Sequence, residues 1–267
     1  MKTKISQDQI ASYQEQGFLI IEDFLNASEL EFWREAVGEA VADRVDQATL
    51  SQSSGTEDTY YQNVFVQCSN LWKTHESMRK LVLDPQLGKM TALLAGVDGQ
   101  RVYHDHAMVK RPSSNPTNWH MDNPFDPFFH RDALSTWLAL DDATVANGCL
   151  YYLPGVHKKA DYSFTDALLS VPNMGTLFKV FPEWGRIEPV PVELPAGGLA
   201  IHNGLTPHAA CPNMTCGLRR AFSIRYMPDG ATFNGHGSGA IDEAYLRQIA
   251  VGDAIHDDEN HPLVYQT

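Results

Sequence analysis

From Arg101 onward the chain is a succession of short runs with β character, cut by proline and glycine, with no helical pattern alternating between them. The runs fall at 102–110, 134–140, 149–153, 190–194, 199–202 and 222–226. Pro112, Pro124, Gly148, Pro154-Gly155, Pro195, Gly197-Gly198, Pro207 and Pro228 punctuate them. Many short strands with turn signals and no crossover helices predict an antiparallel sandwich or barrel. Residues 160–186 fit this pattern poorly and are expected to form an insertion or lid. Gly230, Gly235, Gly237 and Gly239 make residues 229–267 read as a loop-like tail, ending in a short helix near 243–249.

The first hundred residues have a different texture. Ser6 with Gln9 three residues on is a capping-box pattern, opening a short helix that Gly17 ends. Phe18-Leu19-Ile20-Ile21 reads as a buried strand. Ser28 with Glu31 forms a second capping pattern, followed by Leu30, Trp33, Ala36, Val37, Ala40 and Val41 at helical spacing. The polar stretch 47–58 reads as a loop, and Pro85 and Gly96 bracket a third helix. The expected organisation is one domain over 1–267: a helical support region (1–100), a β core (101–228) with its lid (160–186), and the tail.

Composition narrows the class. With 43% hydrophobic and 20% charged residues, the 267-residue chain can bury a core and is not disordered. No apolar run approaches the roughly 18 residues of a membrane helix, and no apolar segment follows the N-terminal lysines. Four cysteines are too few for a disulfide scaffold. These features predict a reduced, cytoplasmic protein. The net charge of −13 argues against a nucleic acid or an anionic membrane as partner. Ten carboxylates lie in 22–58 and seven in 229–267, so the β core is close to neutral.

The sharpest chemical signal is His120-Met121-Asp122. On an extended strand, residues two apart share a face, so an imidazole and a carboxylate can grip one metal ion from the same side. His208, in Leu205-Thr206-Pro207-His208, is the best candidate for a third ligand from a distant strand. Two histidines and one carboxylate leave one face of an octahedron open, the arrangement of non-haem Fe(II) oxygenases. Alone, His-x-Asp is weak, because the pair occurs by chance on surfaces. His104 and His106 could form a cupin-like metal pair, but Lys110 stands where a carboxylate would be needed. His157 reads as structural and His202 as a residue behind the ligands. His130, His236, His256 and His261 read as exposed.

The flanking sequence resembles the phytanoyl-CoA dioxygenase family of Fe(II)/2-oxoglutarate oxygenases. The resemblance begins at Gln9-Ile10 and Gly17-Phe18-Leu19-Ile20-Ile21 and continues through Asn70-Leu71-Trp72 and Lys110-Arg111-Pro112. It is strongest at Trp119-His120-Met121-Asp122, Trp137-Leu138-Ala139-Leu140-Asp141-Asp142, Asn147-Gly148-Cys149-Leu150 and Leu153-Pro154-Gly155-Val156-His157. It closes with His208 and Arg219-Arg220-Ala221.

The resemblance implies a double-stranded β-helix, the cupin-like jelly roll, with N-terminal helices packed on one sheet. It implies Fe(II) held by His120, Asp122 and His208, with 2-oxoglutarate and O2 as co-substrates. Arg219, eleven residues after His208, takes the family's role of binding the far carboxylate of 2-oxoglutarate; Arg225 shares its strand parity and is the alternative anchor. Gln67, His106 and Trp137 fall near positions that contact the co-substrate in relatives. The implied reaction oxidises an unactivated carbon of a small molecule and releases succinate and CO2. Hydroxylation is favoured over halogenation, because halogenating relatives lack the carboxylate that Asp122 supplies. Asn118, Asn123 and Phe125, with Phe164, Leu168, Met174, Phe178, Phe181 and Trp184 from the lid, are the expected substrate lining. A cupin-like metal enzyme without 2-oxoglutarate and a non-catalytic small-molecule-binding barrel are the alternatives, and a homodimer is left open.

Overall fold

The computed structural model describes residues 1–49, 66–161, 173–237 and 240–267. The expected loop at 47–58 lies mostly outside these, as do Phe164 and Leu168. The N-terminal region supplies α1 (Gln7–Gln16), β1 (Phe18–Ile21), α2 (Ala27–Thr49), β2 (Val66–Ser69), α3 (Glu76–Val82) and α4 (Pro85–Ala95). The β core follows as β3 (Gly99–Lys110), β4 (Thr117–His120), β5 (Phe128–Phe129), β6 (Leu134–Ala139), β7 (Leu150–Tyr152), a single turn α5 (Leu177–Val180), β8 (Val190–Val192), β9 (Leu199–Asn203), β10 (His208–Ala210) and β11 (Arg219–Pro228). The tail holds β12 (Thr232–Phe233), α6 (Glu243–Leu246) and β13 (Leu263–Gln266).

A seven-stranded sheet runs β1-β9-β6-β11-β3-β13, with β2 also paired to β3. A four-stranded sheet, β4-β10-β7-β8, faces it. All pairs are antiparallel, so the jelly-roll expectation holds. Strand alternation divides the large sheet into two faces. Leu134, Leu138, Leu199, Ile201, Phe222, Ile224 and Tyr226 pack outward against Tyr13, Trp33, Trp72, Leu87 and Leu94 of the helical layer. Trp137, Ala139, Ala200 and Ala221 face inward, against Leu150, Tyr152, Val192 and Ala210 of the small sheet. The N-terminal helices thus close one apolar face and leave the other to line the interior.

The first helix starts as expected: Ser6 Oγ accepts from Gln9 N–H, and Gln9 Oε1 accepts from Ser6 N–H. The second differs. Its cap is Asn26, whose Oδ1 accepts from Glu29 N–H while Glu29 Oε2 accepts from Asn26 N–H. The Ser28–Glu31 pattern is therefore already inside the helix, two residues late. The tail also differs from its loop-like reading. Strand β13 pairs with the edge of β3, and Phe233, Ile241, Leu246 and Ile255 bury against Tyr103, Phe128 and Met227. His261, expected exposed, is fully buried; its Nδ1 donates to the Tyr103 carbonyl at 3.0 Å. Short strands at a sheet edge carry too little alternation to stand out in the sequence. No helix among the described residues is long and apolar enough to cross a membrane.

One turn ties the support region to the interior. Gly17 ends α1 in the left-handed region (φ 85°), and its carbonyl accepts from Asn203 N–H at 2.9 Å and Thr206 Oγ1 at 2.8 Å. A Cβ at Gly17 would lie 2.4 Å from His157 Nδ1 and 2.5 Å from Thr206 Oγ1. Backbone strain of about 1 kcal/mol adds to an overlap costing about 1–3 kcal/mol. Gly17→Ala is therefore expected to lower unfolding free energy by about 2–4 kcal/mol in a denaturant titration. An unchanged midpoint would show that the Gly17–Thr206 junction is not structural.

Candidate active site

His120 ends β4 and His208 opens β10, and the two residues are paired across the small sheet. That register sets their rings side by side, centroids 4.1 Å apart. Asp122 arrives by a route other than the expected one. The strand stops at His120, and Asp122 has helical backbone (φ −75°, ψ −48°), opening the turn Asn123–Phe125. The carboxylate meets the imidazole because the chain turns, not because a strand continues. Asp122 Oδ1 lies 3.7 Å from His120 Nε2 and 3.5 Å from His208 Nε2. One ligand atom from each of the three residues falls within 4.8 Å of the others, the only such group of three or more His, Cys, Asp or Glu among the described residues.

The hydrogen bonds fix which atoms are offered. His120 Nδ1 donates to the Asn118 carbonyl at 2.7 Å, and His208 Nδ1 donates to the Thr206 carbonyl at 3.0 Å. Both rings therefore present an Nε2 lone pair, the arrangement that metal-binding histidines need. Burial, reinforced by the neighbouring imidazole at each site, pushes both rings down to about 4, so they stay neutral. Asp122 is held through its other oxygen. Oδ2 accepts from Ser135 Oγ at 2.9 Å and His202 Nε2 at 3.2 Å, and Arg225 Nη1 lies 3.4 Å away. Burial opposes the charge on Asp122, but His208, Arg225 and His202 outweigh it and hold the carboxyl well below the usual range. His202 is fixed in turn by Tyr152, whose hydroxyl lies 2.8 Å from Nδ1.

These residues line a cavity of about 210 Å³ between the sheets. Gln67, His106, Trp137 and Arg219 line it as well, so the expected metal ligands and co-substrate contacts open onto one space. Gln67 Nε2 lies 2.9 Å from His106 Nδ1, which links β2 to β3 at the rim. Arg219 sits over the Trp137 ring, 5.0 Å from its centroid. It is 2% exposed, and its Nε and Nη1 have no partner. Burial pulls its guanidinium down to about 10.

The two arginines separate clearly. Arg225 is engaged through both terminal nitrogens, which contact Asp122, Ser135, Asn123 and Asp126, and only its Nε lacks a partner. Gly204 is what lets it sit there, because a Cβ at Gly204 would lie 2.4 Å from Arg225 Nη2 and 1.8 Å from Asn123 Oδ1. Arg220 points to the opposite face, where it forms a two-point pair with Asp141. Asp126, Ser135 and Gly204 are contributors that sequence reading missed. Asp126 could have been found only as the carboxylate four residues after Asp122.

His104 lines the cavity beside His106, the ring centroids 4.8 Å apart, but among the described residues no carboxylate completes a metal group there. The expected substrate lining is only partly met. Phe125 opens onto the cavity; Asn118 and Asn123 support it from behind. Met174, Phe178, Phe181 and Trp184 do not line it. They pack with Trp119, Met121 and Leu153 outside, Trp184 stacked on Phe181 at 3.8 Å. Large rings in a segment without strand pattern are equally suited to an outer apolar cluster, and here that cluster forms.

The donor set fits a divalent iron: two neutral imidazoles and one carboxylate, held from outside and open toward the cavity. The unpartnered Arg219 donors on the same cavity fit a carboxylate. Comparison with known proteins agrees. The family model for phytanoyl-CoA dioxygenase matches residues 13–221. The mouse phytanoyl-CoA dioxygenase domain-containing protein 1 is 26% identical, the match covering 85% of this chain and 92% of the mouse protein. A methylphosphonate hydroxylase of Gimesia maris is 24% identical, covering 85% of this chain and 82% of that protein. Among solved structures, the non-heme alpha-ketoglutarate-dependent carbocyclase SnoK from nogalamycin biosynthesis superposes with a TM-score of 0.77 at 26% identity, covering 97% of this chain and 96% of that one. With a family model matched over most of its length, the chain belongs to the phytanoyl-CoA dioxygenase family, whose fold is that of iron- and 2-oxoglutarate-dependent oxygenases.

Proposed function

We propose that the protein is an Fe(II)- and 2-oxoglutarate-dependent oxygenase that hydroxylates an unactivated carbon of a small molecule and releases succinate and CO2. In this reading His120, Asp122 and His208 hold the iron, and Arg219 holds the far carboxylate of 2-oxoglutarate. The observation that carries it is Arg219: a buried guanidinium with two unpartnered donors lining the same cavity as a His/Asp/His cluster. A buried charge left unpaired is costly, so such a group is explained by an anionic ligand. The bound metal with 2-oxoglutarate supplies the oxidising chemistry.

The chain's own residues bind, orient and exclude water. His120 and His208 are locked in one tautomer by the Asn118 and Thr206 carbonyls. Asp122 keeps Oδ1 directed at the cluster because Ser135, His202 and Arg225 occupy Oδ2. Trp137 forms a flat apolar floor under Arg219 and keeps water from its guanidinium. Gln67 and His106 close the β2–β3 side of the cavity, in position to touch the co-substrate. The presence of Asp122, rather than a small residue, supports hydroxylation over halogenation.

Two expected outcomes test the assignment. Asp122→Ala removes the charged ligand, so metal content after reconstitution with Fe(II) under nitrogen should fall from about one per chain to near zero. Succinate release should fall with it. Full metal content and activity in the variant would overturn the iron assignment.

Arg219→Ala should raise the half-saturating 2-oxoglutarate concentration several-hundred-fold or more while metal content stays near that of the parent. Loss of one partner of a desolvated charge pair costs about 3–5 kcal/mol. Titration of 2-oxoglutarate under anaerobic conditions, with iron measured in parallel, separates the two effects. If Arg219→Ala leaves the titration unchanged, the anchor is misassigned.

A further inference from the structure

The cavity holds an account of charge that bears on the substrate. Two guanidiniums line it, Arg219 and Arg225, and no lysine does. Arg225 is spent within the protein, its Nη2 on Asp126 and Asn123 and its Nη1 beside Asp122. Arg219, on the reading above, belongs to the co-substrate. The buried Lys110 does not line the cavity and donates to the Asn115 carbonyl at 2.7 Å. The undescribed residues 50–65, 162–172 and 238–239 contain no lysine, arginine or histidine, so they cannot add a cation. The two serines that line the cavity are committed too: Ser135 donates to Asp122 and Ser223 to the Thr136 carbonyl.

On the other side stands a carboxylate with one open oxygen. Asp126 lines the cavity beside Phe125, and its side chain is 7% exposed. Its Oδ2 takes Arg225, while its Oδ1 takes no hydrogen bond from any described residue. With a divalent metal and a dianionic co-substrate in place, Asp122, Asp126, Arg219 and Arg225 balance. An added anion would then face the open Oδ1 of Asp126, and no further lysine or arginine lines the cavity to offset it.

We propose that the part of the substrate entering this cavity is uncharged or cationic and carries a hydroxyl or amine that donates to Asp126, and that phosphorus oxyanions and carboxylates are not its substrates. This inference rests on the function proposed above. It separates this chain from its relative named a methylphosphonate hydroxylase, to which it is 24% identical. It also makes Asp126 the residue that selects substrates by charge.

The test reads binding rather than turnover. The full chain is loaded with Mn(II) and N-oxalylglycine, an unreactive analogue of 2-oxoglutarate. It is then screened by ligand-observed NMR against a few hundred fragments divided equally among neutral, cationic and anionic members. Fragments relaxed by Mn(II) lie near the metal. Neutral and cationic hydrogen-bond donors should be enriched at least about fivefold over anions among the relaxed set, and methylphosphonate should not be relaxed. Asp126→Asn, provided that it folds and takes up Mn(II), should erase the preference for cations. Anions relaxed as often as the others, methylphosphonate bound near the metal, or no neutral or cationic fragment relaxed at all would each overturn the proposal from the parent protein alone. Failure of the underlying function is read separately. It would appear as 2-oxoglutarate that neither binds the Fe(II) protein nor is decarboxylated by it.

Discussion

The site depends on how Asp122 is held. A carboxylate at the mouth of a cavity has two equivalent oxygens and is free to rotate. Here Ser135 from β6, His202 from β9 and Arg225 from β11 all take Oδ2, which leaves Oδ1 to face His120 and His208. Three adjacent strands of the large sheet thus fix one atom contributed by a turn at the edge of the small sheet. The geometry survives only if the two sheets keep their spacing and their register. The Tyr152 ring, stacked on Phe18 at 4.7 Å with its hydroxyl on His202, carries part of that spacing.

The same alternation that aims polar groups inward builds the core outward. On β11, Arg219, Ser223 and Arg225 open onto the cavity, while Phe222, Ile224 and Tyr226 bury under the helices. A polar interior face is expensive without a ligand, and a one-residue slip would exchange it with the apolar face. The helical layer therefore does more than cover a sheet: by burying the apolar face it holds the register of the polar one. A bulge opposite Arg225 and Tyr226 lets β3 obey this rule. It places His104 inside and Val102 in the helical layer, although the two are two positions apart and would otherwise share a face.

The polar chemistry of the cavity is divided between two ends. Arg219 lies toward Lys110 and the β3–β11 end, with its charge open to a ligand. Arg225, Asp126 and Phe125 lie at the other, where the cation is already answered and a carboxylate oxygen is not. The aromatic cluster of Trp119, Phe178, Phe181 and Trp184 sits behind the small sheet and stiffens β4, the strand that carries His120.

Sequence alone determined the architecture and picked out His120, Asp122 and His208 as one group. Short runs cut by proline and glycine leave an antiparallel sandwich as the economical solution, and His120, Asp122, His208 and Arg219 stand in motifs whose residue types are chemically specific. Parity along a strand also separated Arg219 from Arg220 before any coordinates. Tertiary structure decided what depends on partners far apart in the chain. That Arg225 is paired with a carboxylate and Arg219 is not follows from Asp126, Asn123 and Gly204, 21 to 102 residues away in sequence, and no local pattern reports it. That Phe178 and Trp184 pack outside the cavity follows from a cluster with Trp119 and Leu153, since an aromatic ring carries no label for the surface it will join. Edge strands such as β13 and the burial of His261 were hidden for the same reason: four residues hold too little periodicity, and only the exposed edge of β3 makes them a strand.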